Sequence, residues 1–271
     1  MTRIALGLQY DGRAWHGWQS QPHRQTVQDA LEVALSRFAD RPIRTACAGR
    51  TDAGVHALGQ VVHFDTEAVR TPNGWVRGVN ALLPASIAVT WSAAVDDAFD
   101  ARFDAVGRHY HYLLLTQPYR SPHWIGRAGW IHAKLDVEVM ATAAQSLIGT
   151  HDFSAFRSAE CQARSPVKTM RAVAVQQSGD FVRFSFEASA FLHHMVRNLV
   201  GTLIAIGRGT HSARWLVEVL EGRDRSRAAP TFMPDGLYLA RVDYPERIVL
   251  PSPVPFAQIH AGFAAPVAQA S

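Results

Sequence analysis

Apolar and polar residues alternate from Arg3 to Tyr10, with Ile4, Leu6, Leu8 and Tyr10 on one side, and this period of two predicts a strand. The period then lengthens. Thr26 is a good N-cap, and Val27, Leu31, Ala34, Leu35 and Phe38 fall on one face of a helix. Strands are predicted at 43–48 and 59–64, a short helix from Asn73 to Leu82 ended by Pro84, and a strand from Ile87 to Ala94. The order is β-α-β-β-α-β, and the remainder repeats it. Val106 to Thr116 reads as a strand, Asp136 to Ile148 as a helix, and Arg171–Gln177 with Phe181–Ala188 as a hairpin across Ser178-Gly179-Asp180. Phe191 to Gly207 reads as a helix and Leu237 to Asp243 as the closing strand, with an additional helix over Ala213 to Leu220. Two such series predict an α+β protein of two ferredoxin-like halves, each with a mostly antiparallel sheet and helices on one face. The duplication lies in the pattern, without a residue-by-residue repeat. The halves are expected at 1–97 and 98–247, with a hinge near Asp96 to Asp104 and a substrate cleft between them. From Ile248 onward there is no Asp, Glu, Lys or Arg, and the Pro- and Ala-rich tail, 248–271, is expected to be loosely ordered.

Two loops interrupt this pattern with chemistry. Between the strands at 43–48 and 59–64 runs Cys47-Ala48-Gly49-Arg50-Thr51-Asp52-Ala53-Gly54-Val55-His56, which shows one carboxylate, Asp52, and one guanidinium, Arg50, on a Gly-containing turn. Such a turn is either a reaction centre or an ordinary turn closed by Asp52 on its own backbone. The other loop, Asp11 to Gln25, carries Trp15, His16, Trp18, Gln19 and His23. These side chains either touch a ligand or hold the loop down, and the tryptophans are expected to pack.

Composition narrows the setting. The chain has 271 residues, 48% hydrophobic and 18% charged, enough for one large or two small domains with a real core. No apolar run approaches the ~20 residues that span a bilayer, and Met1-Thr2-Arg3-Ile4 leads straight into a strand without a signal-like apolar region. Cys47 and Cys161 are the only cysteines, too few for a disulfide framework or a four-thiolate metal site, so a reducing cytoplasm is expected. Net charge is +4, compatible with a nucleic-acid partner without demanding one. Lys134 and Lys168 are the only lysines among 27 basic residues. Arg suits phosphate and stacks on bases, although an Ala-rich sequence also suggests a genome that favours Arg codons.

The run AGRTDAGVHALGQVVHF resembles the signature of the tRNA pseudouridine synthase A family. Further stretches agree in order: VQDALEVAL, ARFDA, RHYHYLLL, HDFSAFRSAECQARSPVKTM, FLHHMVRNLVG and GLYLARVDYP. The similarity covers roughly residues 3 to 250. It implies the pseudouridine synthase fold, with a central RNA-binding cleft, and isomerisation of uridine at tRNA positions 38, 39 and 40. That reaction breaks the bond from ribose C1′ to uracil N1 and joins C1′ to C5, with no redox step. The resemblance further implies tRNA as partner, a homodimer, and no cofactor.

By the same resemblance Asp52 is the reacting carboxylate; attack at C1′, attack at uracil C6 and deprotonation at C2′ all remain open. Arg197, in His193-His194-Met195-Val196-Arg197-Asn198, matches the arginine that pairs with it and keeps it charged. Tyr110 matches a tyrosine set against the flipped uracil, where it stacks and moves a proton. Arg50 matches an arginine that steers base flipping. Leu237 walls either pocket or core. Arg70, the segment Phe99 to Phe103 (including Arg102) and Glu160 to Arg164 are candidates for RNA contact through phosphate and sugar.

The adjacent histidines 193 and 194 suggest a metal, but neighbours on a helix point about 100° apart, HHMVRN is not HExxH, and no metal is expected. No Walker A or Rossmann fingerprint occurs. Two other readings stand beside the isomerase. A non-catalytic RNA-binding protein on ferredoxin-like sheets lacks an RNP1-like run to support it. A hydrolase using Asp52 lacks a second carboxylate motif.

Overall fold

The computed structural model describes residues 1–251; most of the expected tail, 252–271, lies outside the described residues. In chain order the elements are β1 (Thr2–Tyr10), α1 (Val27–Ala39), β2 (Ala46–Cys47), β3 (His56–Thr66), α2 (Pro72–Asn80), β4 (Ile87–Val95), β5 (Gly107–Thr116), β6 (Gly129–Ile131), α3 (Val137–Ala144), β7 (Gly149–Asp152), β8 (Val167–Ser178), β9 (Phe181–Ala188), α4 (Met195–Gly207), α5 (Ala213–Gly222) and β10 (Leu237–Asp243). Two compact units form: Met1–Arg108 with the described chain from Tyr238, and His109–Leu237.

In the first unit β1 lies antiparallel between β4 and β3, with Leu6 opposite both Ser92 and Val62. The other edge of β3 is shared end to end: β10 runs parallel beside His56 and Ala57, and β2 antiparallel beside Val62 and His63. The order β4-β1-β3-β2 is that of a ferredoxin-like half. Helices α1 and α2 supply the covering layer, where Trp75 meets Phe38 and Phe64 edge to face, each at 5.2 Å. Thr26 caps α1 by accepting the Asp29 N–H, and Thr71 caps α2 by accepting the Gly74 N–H.

The second unit orders its strands β5-β9-β8-β7, with β6 parallel to β5. Its hairpin turns at Gly179, φ 56°, between Ser178 and Phe181. Helix α3 packs on β8 and against α4 and α5. Both units are thus mostly antiparallel sheets with helices, the α+β architecture that the pattern predicts. Among the described residues, no helix is long and apolar enough to cross a membrane.

Several boundaries differ from the sequence expectation. The strand predicted at 43–48 shrinks to Ala46–Cys47 because α1 takes the amides it would offer. Ile43 N–H donates to Ser36 Oγ and Thr45 N–H to Glu32 Oε1, both 2.9 Å. The helix predicted from Phe191 starts only at Met195, because His194 is left-handed, φ 63°. That also corrects the argument about the two histidines: neither lies within the helix, and their rings approach to 4.0 Å. The helix predicted over Asp136–Ile148 tightens to a 3-10 turn at Gln145–Leu147. β6 and β7, three and four residues long, were not predicted. Residues 98–108, assigned by the sequence pattern to the second half, fold with the first unit. Ala101 N–H donates to His63 Nδ1 at 3.0 Å, the Tyr244 hydroxyl to the Ala101 carbonyl at 2.7 Å, and Arg108 Nη2 to the Ala48 carbonyl at 2.8 Å.

Candidate active site

The turn that carries Asp52 is fixed from three sides within the first unit. Gln60, buried on β3, grips both polar groups of Gly49: its Nε2 donates to the carbonyl at 2.6 Å and its Oε1 accepts the N–H at 3.3 Å. The hydroxyls of Tyr10 and Thr51, both buried, pair at 2.8 Å. The 11–25 loop closes the third side, with Trp18 N–H donating to the Thr51 carbonyl at 2.9 Å and Gly54 N–H to the Trp15 carbonyl at 3.3 Å. The Trp18 indole is 1% exposed and stands 6.0 Å from the Tyr10 ring, the packing role expected of it. Within the turn, Val55 N–H returns to the Asp52 carbonyl at 3.1 Å, and Gly54 adopts φ 80°, a conformation glycine takes without strain.

Glycines let the two loops meet. A Cβ on Gly12 would lie 2.1 Å from the Val55 carbonyl oxygen, and one on Gly17 would lie 2.7 Å from that of Thr51. Below them Gly12 N–H donates to His56 Nδ1 at 3.1 Å, and the buried His56 ring stacks on Tyr238 at 4.6 Å. The turn therefore holds Thr51 and Val55 inside, while Asp52 is half-buried and Arg50 is exposed. A carboxylate on a rigid backbone needs little reorganisation before it reacts, which favours chemistry over mere chain reversal.

The same environment disfavours the thiolate of Cys47, which is half-buried. Burial pushes its thiol up to about 12, against the opposing pull of Arg50, Arg102 and Arg108. Iodoacetamide at pH 8 is expected to alkylate Cys47 in the folded protein roughly 10³-fold more slowly than an ordinary cysteine, because so little thiolate is present. Peptide mass mapping of timed samples checks this, and alkylation at the ordinary rate would contradict it.

The other candidates in this unit are dispersed. Arg102 lies over the Phe103 ring, 5.4 Å from its centroid, and that ring is 79% exposed. Phe99, expected to meet RNA, is instead 3% exposed and packs against His63 and Tyr244, so its ring offers no face to a ligand. Arg70 lies against Phe38 just before α2, beyond the far end of β3 from the Asp52 turn. At about 3.4 Å per residue, an 11-residue strand places Arg70 on the order of 30 Å away.

In the second unit Tyr110 is 8% exposed and meets Phe191 edge to face at 5.0 Å. Tyr112 is a core residue whose hydroxyl donates to the Met233 carbonyl at 3.1 Å. Arg197 rises from the first turn of α4, half-buried rather than extended along the surface. Its Nε donates to the Phe232 carbonyl at 2.8 Å, and Phe232 N–H donates back to the Arg197 carbonyl at 3.3 Å. The sequence carried no signal for the carbonyl of an apolar loop residue acting on Arg197. Leu237 is buried, which favours its role as a wall of the core, and Arg164 is exposed.

A fixed aspartate turn on a ferredoxin-like half, in a chain with a second unit of related topology, defines an α+β protein whose candidate chemistry rests on one acid. Its sequence matches the tRNA pseudouridine synthase family pattern over residues 8–104 and 143–245, and the chain belongs to that family. It is 62% identical over 253 residues to the tRNA pseudouridine synthase A of Paraburkholderia phymatum, covering 93% of this chain and 95% of that one. It is 60% identical over 249 residues to the protein of that name from Burkholderia thailandensis, covering 92% of each. A Cbf5-Nop10 complex of an archaeal box H/ACA sRNP aligns with a TM-score of 0.35 at 12% identity, over 83% of this chain and 60% of that one. Family membership leaves the purely RNA-binding reading without support. Tyr110 falls between the two matched segments.

Proposed function

We propose that this protein isomerises uridine to pseudouridine in tRNA, at positions 38, 39 and 40 of the anticodon stem-loop. The observation that carries the reading is the Asp52 turn, whose backbone is held by Gln60, Tyr10 and Trp18 while Asp52 itself is half-buried. In the reaction the C1′–N1 bond breaks, the uracil turns, and a C1′–C5 bond forms. C5 loses a proton and N1 gains one, so no electrons enter or leave. Asp52 supplies the electron pair or accepts the proton that starts the exchange. Arg197 keeps that carboxylate ionised, Tyr110 stacks on the turned base and moves the C5 proton, and Arg50 steers the nucleotide out of its stem. The relatives' names support the activity, and the motif resemblance supports these roles, Tyr110 lying outside the matched segments. The exposed Arg102–Phe103 pair and Arg164 suit phosphate and base contacts. A cytoplasmic homodimer completes the proposal.

The direct test incubates the purified protein with unmodified tRNA transcript and maps pseudouridine nucleotide by nucleotide. Modification at 38–40 is the expected result, and none at any uridine would refute the proposal. The chemistry needs no metal, so EDTA or phenanthroline is expected to leave the rate unchanged. A reproducible loss restored by Zn²⁺ would reopen the histidine pair as a ligand site.

A further inference from the structure

Arg197 depends on a loop that is itself tied down by side chains outside the family's assigned roles. Asn198, the next residue on α4, is 0% exposed. Its Nδ2 donates to the Phe156 carbonyl at 2.8 Å, while its Oδ1 accepts from Thr231 Oγ1 at 2.7 Å and from Arg225 Nη2 at 3.0 Å. Arg225 also donates to Thr231 Oγ1 at 3.1 Å and to the Ala229 carbonyl at 2.9 Å. These acceptors are neutral oxygens, which replace the hydration a half-buried guanidinium gives up. Asp224 caps the 3-10 turn that aims Arg225, its carboxylate accepting the Ser226 N–H at 2.9 Å. One turn along α4, a Cβ on Gly201 would lie 2.5 Å from the Pro230 carbonyl oxygen, so the helix and loop are in direct contact. The next residue but one from Pro230 is Phe232, whose carbonyl receives Arg197 Nε. At the loop's far end the Tyr112 hydroxyl holds Met233.

We propose that Arg225 and Asn198 are positioning residues: through the 228–232 loop they set the guanidinium of Arg197, and so govern the chemical step more than tRNA binding. This rests on the reading of Arg197 as the partner of the reacting Asp52. A cross-braced loop is more than Arg197 needs merely to be buried. Its effect is to fix the carbonyl that receives Arg197 Nε. Displacement of that carbonyl by about 1 Å is enough to cost on the order of 10²-fold in rate.

The test compares Arg225→Met, Thr231→Val, Thr231→Ser, Arg197→Ala and the double variant Arg197→Ala with Arg225→Met. Single-turnover rates on a tRNA transcript are measured beside tRNA Kd and thermal melting. Arg225→Met is expected to slow the chemical step by about 30- to 100-fold with Kd within about threefold of wild type. Thr231→Val, which keeps the shape, is expected to slow it by roughly tenfold, and Thr231→Ser, which restores the hydroxyl, to recover most of the rate. The double variant is expected to be no slower than Arg197→Ala alone, since both act through one group. The Arg197 Nε–H proton is expected to exchange with solvent at least about tenfold faster in Arg225→Met. If Arg197→Ala is slow while Arg225→Met and Thr231→Val react like wild type, the inference is overturned and the proposed function stands. Rates that fall only in step with tRNA affinity or with the folded fraction overturn it as well. A wild-type rate in Arg197→Ala overturns both.

Discussion

Asp52→Asn is expected to abolish pseudouridine formation and to leave tRNA binding intact. The substitution keeps the size and shape of the side chain but removes its charge and its electron pair. Other groups hold the course of the turn: Gln60 holds Gly49, Tyr10 holds Thr51 and Trp18 holds the Thr51 carbonyl. The loss is therefore chemical, and a fall of at least about 10³-fold in single-turnover rate corresponds to roughly 4 kcal/mol of transition-state stabilisation. Filter binding should return a Kd within about threefold of wild type, because phosphate contacts carry most of the affinity. Intact-mass measurement guards against deamidation, which would regenerate the acid. Full activity in a clean preparation would remove Asp52 from the mechanism.

Gly12→Ala is expected to be the most damaging single methyl group in the first unit. The new Cβ would lie 2.1 Å from the Val55 carbonyl oxygen and 2.5 Å from its carbon, and both atoms belong to backbone that is itself hydrogen-bonded. Nothing there swings aside as a side chain would. The loops must part, which takes Gly12 N–H away from His56 and moves the Asp52 turn. A loss of about 3 kcal/mol follows for overpacking of this kind, read as a fall in Tm of the order of 6–12 °C. Gly179→Ala serves as the comparison. Its Cβ would meet nothing within 4 Å, and only its φ of 56° resists the change, a cost of about 1 kcal/mol. Equal melting temperatures for the two variants would show that the loop contact is looser than these distances state.

Where local forces decide, the sequence is a good guide. β1, α1 with its Thr26 cap, and the β8–β9 hairpin follow from uninterrupted periodicity and a Gly-containing turn. Long-range hydrogen bonds overrode it elsewhere. No period at 43–48 can reveal that Glu32 and Ser36, a helix away, take the amides of Thr45 and Ile43. Nothing in the letters of Phe191–His194 announces a left-handed histidine, a conformation uncommon for any residue other than glycine. The candidate site divides in the same way. The Asp52 motif was legible through family likeness, and the packing of Trp18 from its type. The brace around Arg197 was not, because an arginine, a threonine and two backbone carbonyls spread over residues 225–232 leave no pattern.

The shared edge of β3 bears on how the protein is made. His56 and Ala57 find their strand neighbour in Tyr238 and Leu239, encoded some 180 positions later. The earlier portion emerging from the ribosome can draw its helices over β1 and β4, yet its last seam is zipped only once Tyr238 and Leu239 have been made. That sequence separation forecasts a slow closing phase, during which a chaperone has most reason to shield the exposed backbone.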